Sequence, residues 1–528
     1  MRELDRRSKM LTLGAMCFAL FMAMLDNTVV NVALPRIQTD LGSGVSGLQW
    51  IVDAYTLVFA SLMLTGGTLG DLYGRKRMFL SGLAVFTAGS LTCALAPSLG
   101  VLVAGRGIQG LGAALLMPGT LSIITNTFLD PKERAQAIGI WAGISGLALA
   151  AGPVVGGLLV DSLGWQSVFF LNVPIGIVAF VVGWLVVHES KNPEGRRLDL
   201  PGQVLAFVSL GSLTYALIEA NAKGWTSPLI LTLFAVAAVG IATFIVVESR
   251  TRSPMLQLEF FRNPTFSGAA FCGAVVSFGM FGTFFFLSLF FQEVQGYTPL
   301  QAGLRSLPST AMIILVAPFA GRLAGRIGSR VPMVTGLLFN ALALFLFTRV
   351  EATSSYMSIW PLLALSGLGM ALVMSPMTAA VMGSVPHQRA GMASATSNAS
   401  REIGGVFGIA LLGAIVTRVF SRDVAKAISR LGLPPGIRDA IVAQASQGSE
   451  RAAGGALPPG VNGAALHAAI GESFVSGMHV AMVVAGTALL VGAAVAFFTI
   501  GSPQQQRGEV REIPSPSSLE VATGSKGA

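Results

Sequence analysis

Four charged residues stand inside long apolar stretches of this chain: Asp26, Asp53, Arg106 and Glu402. An ionisable group in hydrocarbon costs roughly 2.5–3.5 kcal/mol or more, so such residues are functional candidates by default. Burial disfavours the charged form of a carboxylate, whereas a nearby arginine favours it. A carboxyl group whose arginine partner comes and goes therefore takes up a proton on one occasion and releases it on another. Proton exchange coupled to movement is the chemistry these residues offer. Asp53 has a competing reading as an interfacial cap near Trp50. Arg401-Glu402, inside Ser400-Arg401-Glu402-Ile403-Gly404-Gly405, has one as an ion pair with another helix. A carboxylate at that depth also suits a cationic, lipophilic ligand.

The elements that must position these groups are membrane spans. The 528 residues are 53% hydrophobic and only 11% charged, with a mean hydropathy of +0.71. Soluble domains are about 25% charged, so a water-soluble core is excluded. Apolar segments fall near 11–34, 48–70, 78–96, 99–127, 135–160 and 166–187. A pair follows at 201–220 and 228–248, then six more near 265–291, 300–325, 331–348, 357–383, 391–417 and 475–500. Each is long enough to cross a bilayer as a helix. Fourteen spans place both ends on one side. Asp26 and Asp53 then lie toward the outer ends of the first two spans. Arg106 sits about 10 Å into the fourth at 1.5 Å per residue, so the three share a depth.

The divisions expected are a cytoplasmic tail (1–10), a six-helix bundle (11–187), an inserted helix pair with its cytoplasmic connectors (188–262), and a second six-helix bundle (263–500). A long external loop, 418–474, lies within the last, and a disordered cytoplasmic tail occupies 501–528. Only Arg36, Lys223 and Arg349 of the 34 Lys and Arg fall in the short external loops. That skew puts the amino terminus inside, and it accounts for the net charge of +9 without nucleic acid. The basic start, Arg2 to Lys9, is followed by an apolar run with no small-residue cleavage site, which reads as a retained first span. Cys17, Cys93 and Cys272 sit in apolar runs and read as packing residues.

Gly67-Thr68-Leu69-Gly70-Asp71-Leu72-Tyr73-Gly74-Arg75-Lys76-Arg77 crowds four charges between two spans, which marks a tight loop at the membrane surface. It recurs weakly as Gly321-x-Leu323-Ala324-Gly325-x-x-Gly328-Ser329-Arg330, and Pro131-x-x-Arg134-Ala135 recurs as Pro386-x-x-Arg389-Ala390. Parallel repeats of this kind mark transporters with a substrate site between halves. Pro153 must kink its helix, and Gly146, Gly156 and Gly157 allow close helix approach. Phe278, Phe281 and Phe285 share a face that reads equally as pocket lining or lipid contact.

These motifs resemble the major facilitator superfamily, in particular its 14-helix drug:proton antiporter branch. Leu25 to Pro35 is similar to the drug-exporter signature of the first helix, and Arg106-Gly107-x-Gln109-Gly110-x-Gly112 to the motif of the fourth. Gly152-Pro153-x-x-Gly156-Gly157 is similar to the antiporter motif of the fifth, with Ala148 in place of a usual Gly. Phe170-x-Asn172-x-Pro174-x-Gly176, Glu219 with Gly224-Trp225, and Gln301-Ala302-Gly303-Leu304 with Pro308 resemble the 14-helix branch.

The resemblance implies two six-helix bundles plus two inserted helices, and a gating loop at Gly67, Asp71, Gly74, Arg75 and Lys76. The intramembrane charges Asp26, Asp53, Arg106 and Glu402 are the candidates for proton coupling, and the kinked, closely packed fifth helix with Gly152, Pro153, Gly156 and Gly157, which matches the antiporter motif, suits a rocking joint between the halves. The function it implies is proton-coupled export of amphipathic or cationic drugs and antibiotics by a monomer in the inner membrane. Protons are the coupling ion, membrane lipid is the surroundings, and no cofactor or metal is expected. An exporter of an endogenous metabolite, lipid or siderophore is the alternative. A non-transporting sensor is disfavoured by short tails without a signalling domain. No Gly-Lys pair occurs, hence no phosphate loop, and the four histidines show no catalytic or metal spacing; the chain does not read as an enzyme.

Overall fold

Helix starts in this chain are written as short polar caps followed by proline, whose missing N–H costs nothing at a first turn. In the computed structural model Ser227 caps α9, Asn263 caps α10 and Thr298 forms a capping box with Gln301 at α11, each with proline in the first turn. The structure describes residues 5–191, 198–251, 253–385, 389–430 and 463–501. Among them the chain is all-helical.

The first group comprises α1 (Arg6–Leu41), α2 (Val45–Tyr73), α3 (Arg75–Ala94), α4 (Leu99–Thr127), α5 (Pro131–Leu163), and α6 (Gln166–Phe170) continuing into α7 (Asn172–Val186). The inserted pair is α8 (Leu200–Lys223) and α9 (Pro228–Arg250). The second group is α10 (Pro264–Leu289), extended by a π-turn over Phe290–Val294, then α11 (Pro299–Arg305), α12 (Leu307–Ile327), α13 (Arg330–Phe347), α14 (Tyr356–Gly383), α15 (Ala390–Arg430) and α16 (Gly463–Thr499). Thirteen helices among the described residues are long and apolar enough to span a bilayer, and the bent α5 makes a fourteenth span.

Within the first group α3 packs on α4 and α7, α2 on α4, and α1 on α5 and α7. In the second, α10 packs on α15 and α16, and α14 on α12 and α13. The groups meet where α2 lies against α15, α5 against α11, and α1 against α10. Helix α8 contacts α9, α2 and α15, so the inserted pair lies outside the bundles across the α2–α15 seam. The face carrying the described ends of α1 and α16 is called the terminal face below, and its opposite the distal face.

Several expected boundaries shift. Helix α1 begins at Arg6, so the residues expected as tail are partly helical. Helix α15 runs on to Arg430 and α16 starts at Gly463, so both ends of the expected external loop 418–474 are helix. Residues 431–462 lie outside the described part, as does the expected disordered tail beyond Gly501. Hydropathy measures affinity for lipid rather than helicity, and the 418–430 segment is polar on one side. Asp423 faces Lys426 one turn away, the spacing that supports an exposed helix.

The internal repeat is visible as equivalent turns. Gly74 (φ +119°) joins α2 to α3 and Gly328 (φ +86°) joins α12 to α13, backbone conformations that L side chains rarely adopt. The remaining precision comes from close packing. A Cβ on Gly112 would meet the backbone of Phe86 and, at 2.7 Å, the carbonyl of Gly82, so α4 can approach α3 only without a side chain there. By contrast nothing lies within 4 Å of a Cβ on Gly139 in α5. Gly112→Val is expected to cost about 1–3 kcal/mol by overpacking, whereas Gly139→Ala should be neutral or slightly stabilising. Thermal melting of the two purified variants in detergent measures the contrast.

Candidate functional site

Asp26 lies near the middle of α1 and Arg106 two turns into α4, and packing between these helices brings them together. Arg106 Nη1 is 2.5 Å from Asp26 Oδ2, and both side chains are fully buried. The other carboxylate oxygen accepts from Asn172 Nδ2 of α7 at 2.6 Å and from Gln109 Nε2 at 3.0 Å. Gln109, one turn beyond Arg106, also donates to Ser90 Oγ of α3 and accepts from Arg106 Nη1. The guanidinium is held further by the Ile51 carbonyl of α2 at 2.9 Å, and it lies 4.4 Å over the Tyr55 ring. Every group directed at Asp26 is a donor. The pair is an internal salt bridge assembled from five helices.

Asp53 is not part of this cluster. It is fully buried inside α2, and neither carboxylate oxygen has a hydrogen-bond partner. Its competing reading as an interfacial cap is therefore wrong, and Trp50 donates instead to Glu219 of α8 at 3.0 Å. Asp53 lies one turn from Gln49, whose amide reaches the Ile409 carbonyl of α15 at 2.8 Å, so both occupy the α2 face toward α15. Glu402 lies seven residues before Ile409 and shares its face of α15. Its Oε2 is buried without a partner. Two carboxyl groups thus line the seam between bundles, with Tyr55 in electrostatic reach of Glu402 and Asp26 alike.

The residues expected to form a gating loop make a compact set of contacts at the terminal face. Arg75 donates from Nε and Nη2 to Asp71 Oδ1 at 3.0 and 2.8 Å across the α2–α3 turn. Lys76 Nζ reaches the Trp184 carbonyl of α7 at 2.6 Å. Glu189, which sequence reasoning passed over, caps α3 by accepting from the backbone N–H groups of Lys76 and Arg77. A Cβ on Gly74 would sit 2.7 Å from that carboxylate, so the cap needs glycine. Gly67 is in ordinary contact with Pro118.

In α5 the segments 136–149 and 151–163 meet at 41°. Pro153 clashes with the carbonyl four residues back and removes its hydrogen bond, which puts the bend where it is seen. The bend is fitted closely to its neighbours. A Cβ on Gly152 would overlap Thr28 of α1, one on Gly156 would meet Val29 at 3.1 Å, and one on Gly157 would meet Leu300 of α11 at 2.5 Å. Gly146 makes no such approach, with nothing within 4 Å, which corrects its reading as a packing glycine. Phe285 is wholly buried against Phe286 within the second bundle, so it does not face lipid.

The bundles are joined at the distal ends of their helices. Ser288 Oγ donates to the Asn31 carbonyl at 2.7 Å, Gln292 Nε2 to Val32 at 3.1 Å, and the Leu300 N–H to Asp161 at 3.1 Å. Gly139, Gly143 and Gly325 face open space, and Leu147, Leu315 and Phe319 are exposed. Asp26→Asn should strip Arg106 of its counter-charge and cost about 3–5 kcal/mol, as breaking a buried pair does. Asp53→Asn, which removes a carboxyl group with no partner, should leave the melting temperature unchanged or raised; both are read by thermal unfolding in detergent.

Comparison with known proteins places this geometry. The Major Facilitator Superfamily family model matches residues 16–409. The chain is 40% identical over 489 residues to the multidrug resistance protein Stp of Mycobacterium tuberculosis, covering 92% of this chain and 91% of that one. It is 36% identical to the tetracenomycin C resistance and export protein of Streptomyces glaucescens, covering 96% and 94%. It is 37% identical to the methylenomycin A resistance protein of Bacillus subtilis, covering 75% and 85%. A crystal structure of a bacterial homologue of the human lysosomal transporter Spinster superposes with a TM-score of 0.66 at 19% identity, over 95% of this chain and all of that one. With thirteen to fourteen membrane-long apolar helices among the described residues, two packed bundles and this match, the chain is a multi-pass membrane protein that belongs to the Major Facilitator Superfamily.

Proposed function

We propose that this protein exports amphipathic drugs or antibiotics across the cytoplasmic membrane in exchange for protons. The observation that carries the reading is the Asp26–Arg106 pair, a buried carboxyl group and guanidinium from two different helices held together inside the first bundle. Its setting, beside two seam carboxyl groups with unpartnered oxygens, supplies the acid groups that antiport requires. The names of its relatives, which describe multidrug resistance and antibiotic export, supply the substrate class. The reading needs neither cofactor nor catalysis, because the proton is the coupling ion and nothing is transformed. One chain supplies the whole site, so the working unit is a monomer.

The distribution of Lys and Arg supports a terminal face in the cytoplasm, with both termini internal. Substrate reaches the cleft between bundles from the cytoplasm or inner leaflet. Rocking of the bundles about the distal contacts of α5 and α11 then opens the outer side. Protonation of Asp26 from outside releases its hold on Arg106 and, with Asp53 and Glu402, favours substrate release and return. A proton drives the cycle only by binding the two states unequally, and making and breaking the Arg106 pair provides that inequality.

Everted membrane vesicles loaded with a pH gradient test the mechanism. Wild type should move ethidium against its gradient and dissipate protons as it does. Asp26→Asn should reduce pH-driven movement to background while the protein remains in the membrane. Normal movement by that variant removes Asp26 from the mechanism, and no substrate-linked proton flux by wild type removes the antiporter reading.

A further inference from the structure

We propose that the inserted helix pair is a clasp on the distal side: it travels with the first bundle and lets go of α15 when the distal ends part. This rests on the rocking cycle proposed above. The parts of the clasp are Glu219, Asn221 and Gly224-Trp225, at the turn between α8 and α9.

Residues two apart on a helix point about 200° apart, so the last turn of α8 reaches both bundles. On one side Glu219 accepts from Trp50 Nε1 of α2 at 3.0 Å, and the Trp50 ring lies 5.7 Å from that of Tyr215. On the other side Asn221 Nδ2 donates to the Ala414 carbonyl of α15 at 2.7 Å. Gly224 has φ +89°, a conformation that L side chains rarely adopt, and it turns the chain so that Trp225 comes back to α8. There Trp225 Nε1 donates to Asn221 Oδ1 at 2.9 Å, which occupies both ends of the amide and fixes its direction. The exposed Arg418 guanidinium of α15 lies 5.9 Å from the same indole.

The two attachments are unequal, and the inequality decides which bundle carries the pair. Besides Glu219, Gln203 ties α8 to α2, since its Nε2 donates to the Ser61 carbonyl at 2.9 Å and its side-chain oxygen accepts from Thr65. From Trp50 to Thr65 these ties span about 22 Å of α2 at 1.5 Å per residue. Among the described residues the polar and ring contacts of the pair with α15 are confined to Ala414 and Arg418, in the distal half of that helix. An apolar patch of Leu217, Ile218 and Ala410 lies beside them. Letting go of α15 therefore costs one neutral hydrogen bond, one solvated ring contact and that patch. Leaving α2 would also uncover the buried Gln203. A contact made in one state and absent from the other shifts the balance between them by its own worth.

Spin labels placed in pairs on Asp40→Cys, Lys223→Cys and Lys426→Cys read the distal distances by double electron–electron resonance. The sample is purified full-length protein in nanodiscs at neutral and acidic pH, with and without ethidium. All three positions are exposed, and the native Cys17, Cys93 and Cys272 are buried. Where the distance from Asp40 to Lys426 lengthens, that from Lys223 to Lys426 should lengthen in the same fraction of molecules, and that from Lys223 to Asp40 should stay fixed. Asn221→Leu should raise the ratio of distal-open to distal-closed molecules about fivefold, the worth of a net hydrogen bond. Trp225→Phe, which removes only the indole N–H, should raise it about twofold. Gln203→Leu, which cuts a tie to the first bundle, should leave the ratio unchanged. A position 223 that stays with 426 as the bundles part, or that leaves both, overturns the inference. So does an unchanged ratio in Asn221→Leu or an equal rise in Gln203→Leu. Should Asn221→Leu not fold, Trp225→Phe decides by the same ratio, and no rise overturns the clasp. A distance from Asp40 to Lys426 that is fixed in every condition sinks the rocking cycle and the clasp with it; bundles that part without the expected pairing of distances sink the clasp alone.

Discussion

The interaction on which the rest depends is the buried ion pair between Asp26 and Arg106. Taking two charges out of water costs several kcal/mol each, and their attraction offsets this only when the remaining donors and acceptors are satisfied. Here satisfaction recruits α1, α2, α3, α4 and α7 at once, through Asp26, the Ile51 carbonyl, Ser90, Gln109 and Asn172. The helices of the first bundle are therefore held by a polar knot as well as by apolar packing. Removing any one member leaves a buried group unmatched.

The second constraint is how closely the two bundles fit along α5. Along α5 the glycines that meet α1 and α11 lie beyond the Pro153 bend, and those before it face open space. The same helix is thus a tight joint at its distal end and a free wall at the other. The distal hydrogen bonds from Ser288, Gln292 and Leu300 use backbone carbonyls or one exposed carboxylate as partners. None places a buried charge across the joint, so parting the bundles there costs only neutral or solvated contacts. Helix α8 adds a strap over the α2–α15 seam. It is fastened to α2 through Gln203 and Glu219, and to α15 through Asn221, which donates to the Ala414 carbonyl at 2.7 Å.

Much of this was legible in the sequence, for physical reasons. A bilayer admits little besides long apolar helices, so hydropathy alone set the spans, and a charge inside such a run stands out, as Asp26, Asp53, Arg106 and Glu402 did. Their separation into a paired acid and two unpaired ones was not legible. Pairing residues 80 positions apart depends on the rotation of each helix, which periodicity cannot fix when every face is apolar. Asn172, Ser90 and Tyr55 carry no charge to betray them. Glu189 lies in a polar connector where an acid is unremarkable until Gly74 turns the chain toward it. The extension of α15 to Arg430 escaped because its polar residues look like loop to a measure of lipid affinity.

In the proposed cycle Asp26 exchanges its arginine partner for a proton between the two states. Infrared difference spectroscopy of the purified protein, with Asp26→Asn as the reference, reads that carboxyl directly. With the distal joint held closed by a disulfide between introduced cysteines, Asp26 should give only a carboxylate signal. On reduction of that link at acidic pH a carboxylic acid band absent from the reference should grow in. A carboxylate signal that persists unchanged in both conditions contradicts the account.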